Sequence, residues 1–180
     1  MGNWGVVRLT VTGTPYRVIQ FARMAGPTWG RIRRPKPPVW LPWMEFGESD
    51  DLEADGLEIR NDVARVAYNF QTKSPDVLDH FKGVSRQFPA LHFVLAWGDP
   101  ELTSISSDHV RAGRVRHYEI PDRTIRATQR RYLHEYVGED LSGATDDQEW
   151  DADIEAEGEL IQRAIAHWDK EVGWRTRPGP

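Results

Sequence analysis

Apolar and polar residues alternate over residues 4–12, WGVVRLTVT, which sets Val7, Leu9 and Val11 on one side of a strand. Thr14 and Pro15 then read as an N-cap and a first helical residue. Val18, Phe21, Ala22 and Ala25 follow on one helical face until Gly26-Pro27 stops the helix. A second alternation, RVAYNFQT, brings Ala64, Val66, Tyr68 and Phe70 into phase. Ser74-Pro75-Asp76 caps a second helix, whose stripe is Val77, Leu78, Phe81, Val84 and Phe88. LHFVLAW returns as a strand with Leu91, Phe93, Leu95 and Trp97 in phase. Between the halves, residues 27–46 carry five prolines and three tryptophans, so the segment reads as extended, with at most a short edge strand near Val39 to Phe46. The acidic stretch from Glu48 to Glu58 reads as a surface loop.

The order β-α-(β)-β-α-β predicts an α+β chain, a ferredoxin-like split βαβ sandwich in which two helices cover one face of a four-stranded antiparallel sheet. TSISS and RVRHYEI predict an added β-hairpin. From Pro121 the period becomes helical, with Ile125, Tyr132, Leu133 and Tyr136 on one helix and Trp150, Ile154, Ile161, Ile165 and Trp168 on another, a C-terminal two-helix extension whose apolar stripe must dock on something. The expected organisation is a ferredoxin-like domain over residues 1–120, an acidic helical extension over 121–174, and a tail over 175–180. Val7, Leu9, Val66, Phe70, Phe81, Leu91, Phe93 and Leu95 form the expected core.

Residues 3–115 resemble an uncharacterised plasmid and phage family with a YubB-type ferredoxin-like domain. The likeness lies in the opening NWGVVRLTVTGTP, with Asn3 and Trp4, and above all in YNFQTKSPDVLDHFKGVSRQFPALHFVLAWGDPE. Two features differ: Lys73 stands where the family has an aromatic, and the acid after the last strand is displaced to Glu101. The acidic helices have no counterpart there. The resemblance implies a mobile-element origin and a ferredoxin-like fold, and it implies no reaction.

Composition narrows the chemistry. With 180 residues, 28% charged and 39% hydrophobic, the chain can bury a core, and no apolar run reaches the roughly 20 residues of a membrane span. The start lacks a signal-peptide pattern, so the expected compartment is the cytoplasm. Absence of cysteine removes disulfides, thiol nucleophiles and thiolate zinc sites. The six histidines show no i, i+4 pair, and neither a GxSxG elbow nor a glycine-rich phosphate loop is present, so no metal or other cofactor is expected. The best acid/base grouping is Asp108, His109, His117, Glu119 and Asp122, because strand alternation puts His117 and Glu119 on one face. This is the candidate site for a small hydrolase or transferase activity, with His109 as its third member. Cross-strand ion pairing with Arg111, Arg114 and Arg116 is the structural alternative.

Charge is segregated. Residues 1–44 hold seven bases and no acid, whereas residues 139–159 hold ten acids and no base. Arg31, Arg33 and Arg34, flanked by Trp29, Trp40 and Trp43, suit single-stranded nucleic acid, since cations hold phosphates while rings stack on bases. The same tryptophans could instead pin a proline-rich loop onto the domain. The leading expectation is a non-enzymatic binding protein that captures a host or element protein through the acidic extension, with Asp147, Asp151 and Glu155 as its contact residues. Against it stands internal neutralisation of those acids by Arg31, Arg33 and Arg34 or by Arg126, Arg130 and Arg131; a homodimer is a further expected arrangement.

Overall fold

The computed structural model describes residues 5–25, 53–72, 77–98, 102–138 and 143–174. Strand β1 (Gly5–Gly13) runs into α1 (Pro15–Ala25), where the Val18 N–H donates to the Thr14 carbonyl at 3.0 Å. There follow β2 (Glu53–Arg60), β3 (Val63–Thr72), α2 (Val77–Gln87), β4 (His92–Gly98), β5 (Ile105–Arg111), β6 (Arg114–Glu119), α3 (Asp122–Val137) and α4 (Asp146–Ala166). The strands form one antiparallel sheet in the order β2-β3-β1-β4-β5-β6. The chain is therefore α+β, and the hairpin predicted from TSISS and RVRHYEI is present as β5 and β6.

One correction concerns β2. The acidic stretch expected to be loop through Glu58 pairs with β3 from Glu53 onward. Its side-chain pattern is poor because it is an edge strand, with Leu57 and Ile59 exposed. What creates it is the turn, where Asn61 and Asp62 both take positive φ, 46° and 65°, as a two-residue hairpin with right-handed strand twist requires. The expected strand near Val39, the Ser74-Pro75-Asp76 cap and the side chain of Phe70 lie outside the described residues.

The register puts Leu9 between Tyr68 on β3 and Leu95 on β4, so one row of side chains crosses the sheet toward α1 and α2. Val7, Leu9, Val66, Phe81, Leu91, Phe93 and Leu95 are buried there together, as the alternation predicts. Phe21 of α1 closes that core edge-on against Phe93 and Phe88, with ring centroids 5.3 and 5.5 Å apart. Tyr68 is buried among these side chains, so it offers no exposed ring for a base to stack on.

The second face of the sheet is also covered. Val94, Ala96 and Ile105 pack under α4 and the turn that follows it, against Leu160, Ile161, Ala164, Ile165 and Trp168. Here the expected stripe is corrected: Ile161, Ile165 and Trp168 are buried, but Trp150 and Ile154 are 65% and 50% exposed. Ala152 and Ala156 take their place, because alanines let the helix approach its neighbours while Glu157 and Gly158 interrupt the bulkier stripe. On α3, Ile125 and Thr128 are buried and Tyr136 is exposed. Thr145 starts α4 with a capping box, its Oγ1 accepting from the Gln148 N–H while the Gln148 side chain accepts from the Thr145 N–H.

Polar latches hold the last turn onto the sheet. Ser107 Oγ donates to the Ala164 carbonyl and accepts from Trp168 Nε1, both at 2.9 Å. Tyr118 stacks on His167 with centroids 3.6 Å apart, and the Arg116 guanidinium lies over the Trp168 ring. No helix among the described residues is long and apolar enough to cross a membrane.

Candidate functional site

The outward face of α4 carries Asp147, Trp150, Asp151, Ile154 and Glu155 at helical i, i+3, i+4 spacing, all exposed. An exposed tryptophan beside an exposed isoleucine leaves an apolar ridge in water, rimmed by three carboxylates. Among the described residues no cation pairs with Asp147, Asp151 or Glu155. Two of the basic residues of α3 pair elsewhere: Arg126 with Asp122, and Arg131 with Glu135 and Glu159, and Arg130 forms no ion pair with these acids among the described residues. Glu159, gripped by Arg131 and bonded by the Tyr132 hydroxyl, is held below the usual carboxylate range. The inner acids thus tie α4 to α3, with Gln129 donating to Asp153 at 3.3 Å, while Asp147, Asp151 and Glu155 face outward. Trp29, Arg31, Arg33, Arg34, Trp40 and Trp43 lie outside the described residues.

The acid/base grouping is divided by the pleat of the sheet. His117 stands across from Asp108 on the face of α1 and α2, and its Nδ1 lies 3.0 Å from Asp108 Oδ1, while Asp108 Oδ2 accepts from Trp97 Nε1 at 3.0 Å. The carboxylate that orients His117 is therefore Asp108, with Glu119 exposed on the same face. Among the described residues no hydroxyl bonds to His117 as a positioned nucleophile would. His109 is corrected out of this group, because alternation turns it to the other face of the sheet; Asp122 is taken by Arg126 at the start of α3.

On that other face His109 belongs to a network that alternation and spacing do not reveal. His92 Nδ1 lies 3.0 Å from His109 Nε2 with the rings nearly parallel, and His109 Nδ1 lies 3.3 Å from Glu171 Oε1, whose other oxygen takes Arg116 Nη1 at 2.6 Å. Burial, reinforced by the positive charge of Arg111 and by His109, pushes the His92 imidazole down to about 4. Burial likewise lowers His109, against the opposing pull of Glu171. Burial thus favours the neutral form of both rings. In the sequence His92 stands opposite the Leu91, Phe93 and Leu95 face, where it reads as exposed or locally satisfied; it is half-buried instead because the second face, which carries Val94 and Ala96, is covered as well. No three His, Asp or Glu side chains among the described residues converge as metal ligands.

No known protein-family model matches the chain, and searches of curated proteins and of solved structures return no match.

Proposed function

We propose that the chain is a non-enzymatic binding protein, a ferredoxin-like scaffold that presents the outer face of α4 to a basic protein surface. The observation that carries this reading is the apolar ridge of Trp150 and Ile154 within the rim of Asp147, Asp151 and Glu155. Tryptophan is among the residues that dominate binding energy in interfaces, and the carboxylates steer and select a cationic partner. Strand order supports the ferredoxin-like assignment, since β2-β3-β1-β4 with helices after β1 and β3 is the split βαβ connectivity. The resemblance of residues 3–115 adds a mobile element as the setting, and the cytoplasm is the place of action expected from the sequence.

The test is capture on the immobilised full chain. It is expected to retain one protein in equal stoichiometry, more weakly as salt rises from about 0.1 to about 1 M and the screening length falls from about 10 to about 3 Å. Trp150→Ala, and the combined Asp147→Asn, Asp151→Asn and Glu155→Gln, should each weaken that capture at least about 30-fold, the effect of losing about 2 kcal/mol at an interface centre. Their melting temperatures should match the parent. Undiminished capture by both variants refutes the proposal. If Arg31→Gln, Arg33→Gln and Arg34→Gln together strengthen capture, the chain's own basic run competes for this face.

A further inference from the structure

Arg116, Glu171, His109 and His92 form one line of polar contacts beneath the turn that follows α4, and its proton positions follow from the order of donors. An ionised carboxylate only accepts, so Glu171 Oε1 faces an N–H at His109 Nδ1, 3.3 Å away, while Oε2 takes the Arg116 guanidinium at 2.6 Å. A neutral imidazole carries one proton, which puts the lone pair of His109 on Nε2. The 3.0 Å contact of that atom with His92 Nδ1 then needs the proton on His92, whose own lone pair is left on Nε2. Both rings are Nδ1–H tautomers, and the line joins β4, β5 and β6 to the turn over residues 167–174.

Such a line has room for one proton per ring. A further proton on His109 goes to Nε2 and sets two N–H groups against each other across 3.0 Å. A further proton on His92 spares that bond but charges a half-buried ring facing Arg111 of β5, with Arg116 of β6 beyond His109 and the carboxylate of Glu171 opposing them. The rings stack 5.2 Å apart at 6°, so two charges would sit face to face in partly buried surroundings. On the β1 side Thr12 stands across from His92, bonded by Arg65 of β3, whose guanidinium is taken by Asp169. The turn's own histidine, His167, is exposed and stacks on Tyr118.

The turn meets this pair through Glu171, which His109 contacts, and through the Trp168 ring, 5.2 Å from His109. Charging the pair therefore acts first on those two contacts. When the turn lifts, both rings reach water and the cost of their charge is relieved. Burial is the largest cause that lowers each ring, so the closed turn is favoured above the ordinary histidine range and loses that advantage as pH falls through it.

We propose that the His92–His109 pair is an acid-sensitive latch, which holds residues 167–174 on the sheet while both rings are uncharged and loosens that turn, ahead of the rest of the fold, when the pair takes up a proton. The latch is separate from the outer face of α4 and stands or falls without it.

Native-state hydrogen exchange of the full chain at about pH 8 and about pH 5 tests it, each rate divided by the intrinsic rate at that pH. The amides of Glu171, Val172 and Trp174, bonded to the Trp168 and Asp169 carbonyls within the turn, report its opening. A ring that titrates at about 4 under the closed turn and at about 6.5 once released raises the opening constant about 30-fold between those pH values. Amides of β1 and β3 should change less than about threefold. His92→Asn, whose amide donates from the place of Nδ1 but takes up no proton, should show a rise in the turn at least about fivefold smaller. A parent rise under about fivefold, an equal rise in β1 and β3, or an undiminished rise in His92→Asn overturns the proposal. Should His92→Asn fail to fold, imidazole nitrogen-15 spectra of the parent decide: Nδ1–H on both rings, with His92 titrating below about 5, supports the latch, and an Nε2–H ring or a His92 titrating at about 6.5 refutes it.

Discussion

Ser107→Ala tests the docking of the C-terminal helices on the second face of the sheet. Its hydroxyl is fully buried between β5 and the last turn of α4, donating to the Ala164 carbonyl and accepting from the Trp168 indole N–H. Alanine removes both bonds without adding bulk. Loss of the bond to Ala164 costs about 1 kcal/mol net, and the Trp168 N–H, left in a pocket with Ile161 and Ile165, adds a desolvation cost of about 1–3 kcal/mol. The expected destabilisation is about 2–4 kcal/mol, a large share of the stability of a domain this size. Urea unfolding followed by far-ultraviolet dichroism should show a lower midpoint at unchanged slope. Hydrogen exchange should localise the loss to the amides of α4 and the turn to Trp174, with β1, β3 and β4 protected as before. A shift under about 0.5 kcal/mol, or exchange that rises first in β1 and β3, would show that the latch does not hold this layer and would refute the reasoning.

Phe93→Ala, at a fully buried ring in contact with Phe21 and Phe81, is expected to cost about 3–5 kcal/mol in the same unfolding assay through lost transfer energy and the cavity left behind; an unchanged midpoint would contradict the placement of the core. Stability should also depend on pH through His92. Its folded pKa, about 4, lies below the ordinary 6.5 of the unfolded chain, so the contribution is complete above pH 6.5 and is lost as pH falls from 6.5 toward 4, by at most about 3 kcal/mol. Denaturation midpoints measured across that window should fall less steeply in His92→Gln than in the parent, and identical profiles would contradict the burial argument.

Alternation and helical spacing are local properties of the chain, and they determined β1, β3, β4, the β5–β6 hairpin, both helices of the first core and the inward row that carries Phe93. They also determined that an acidic helix with an apolar side exists over the last forty residues or so, and that its acids outnumber nearby bases. Tertiary structure decided where that helix turns. Trp150 and Ile154 fit the apolar stripe of a helical wheel, yet Ala152 and Ala156 are buried instead, because close approach to α3 and the sheet favours small side chains at the contact. Strand β2 escaped the pattern because an edge strand on a solvated rim needs backbone pairing and a turn more than apolar side chains. The partners of the histidines followed from pairing register: the pleat sends His117 to Asp108 on one face and His109 to His92 and Glu171 on the other. Arg60 on β2 and Arg65 on β3 meet Trp174, and Arg65 meets Asp169, in a turn more than one hundred residues later in the chain, a juxtaposition that no periodicity encodes.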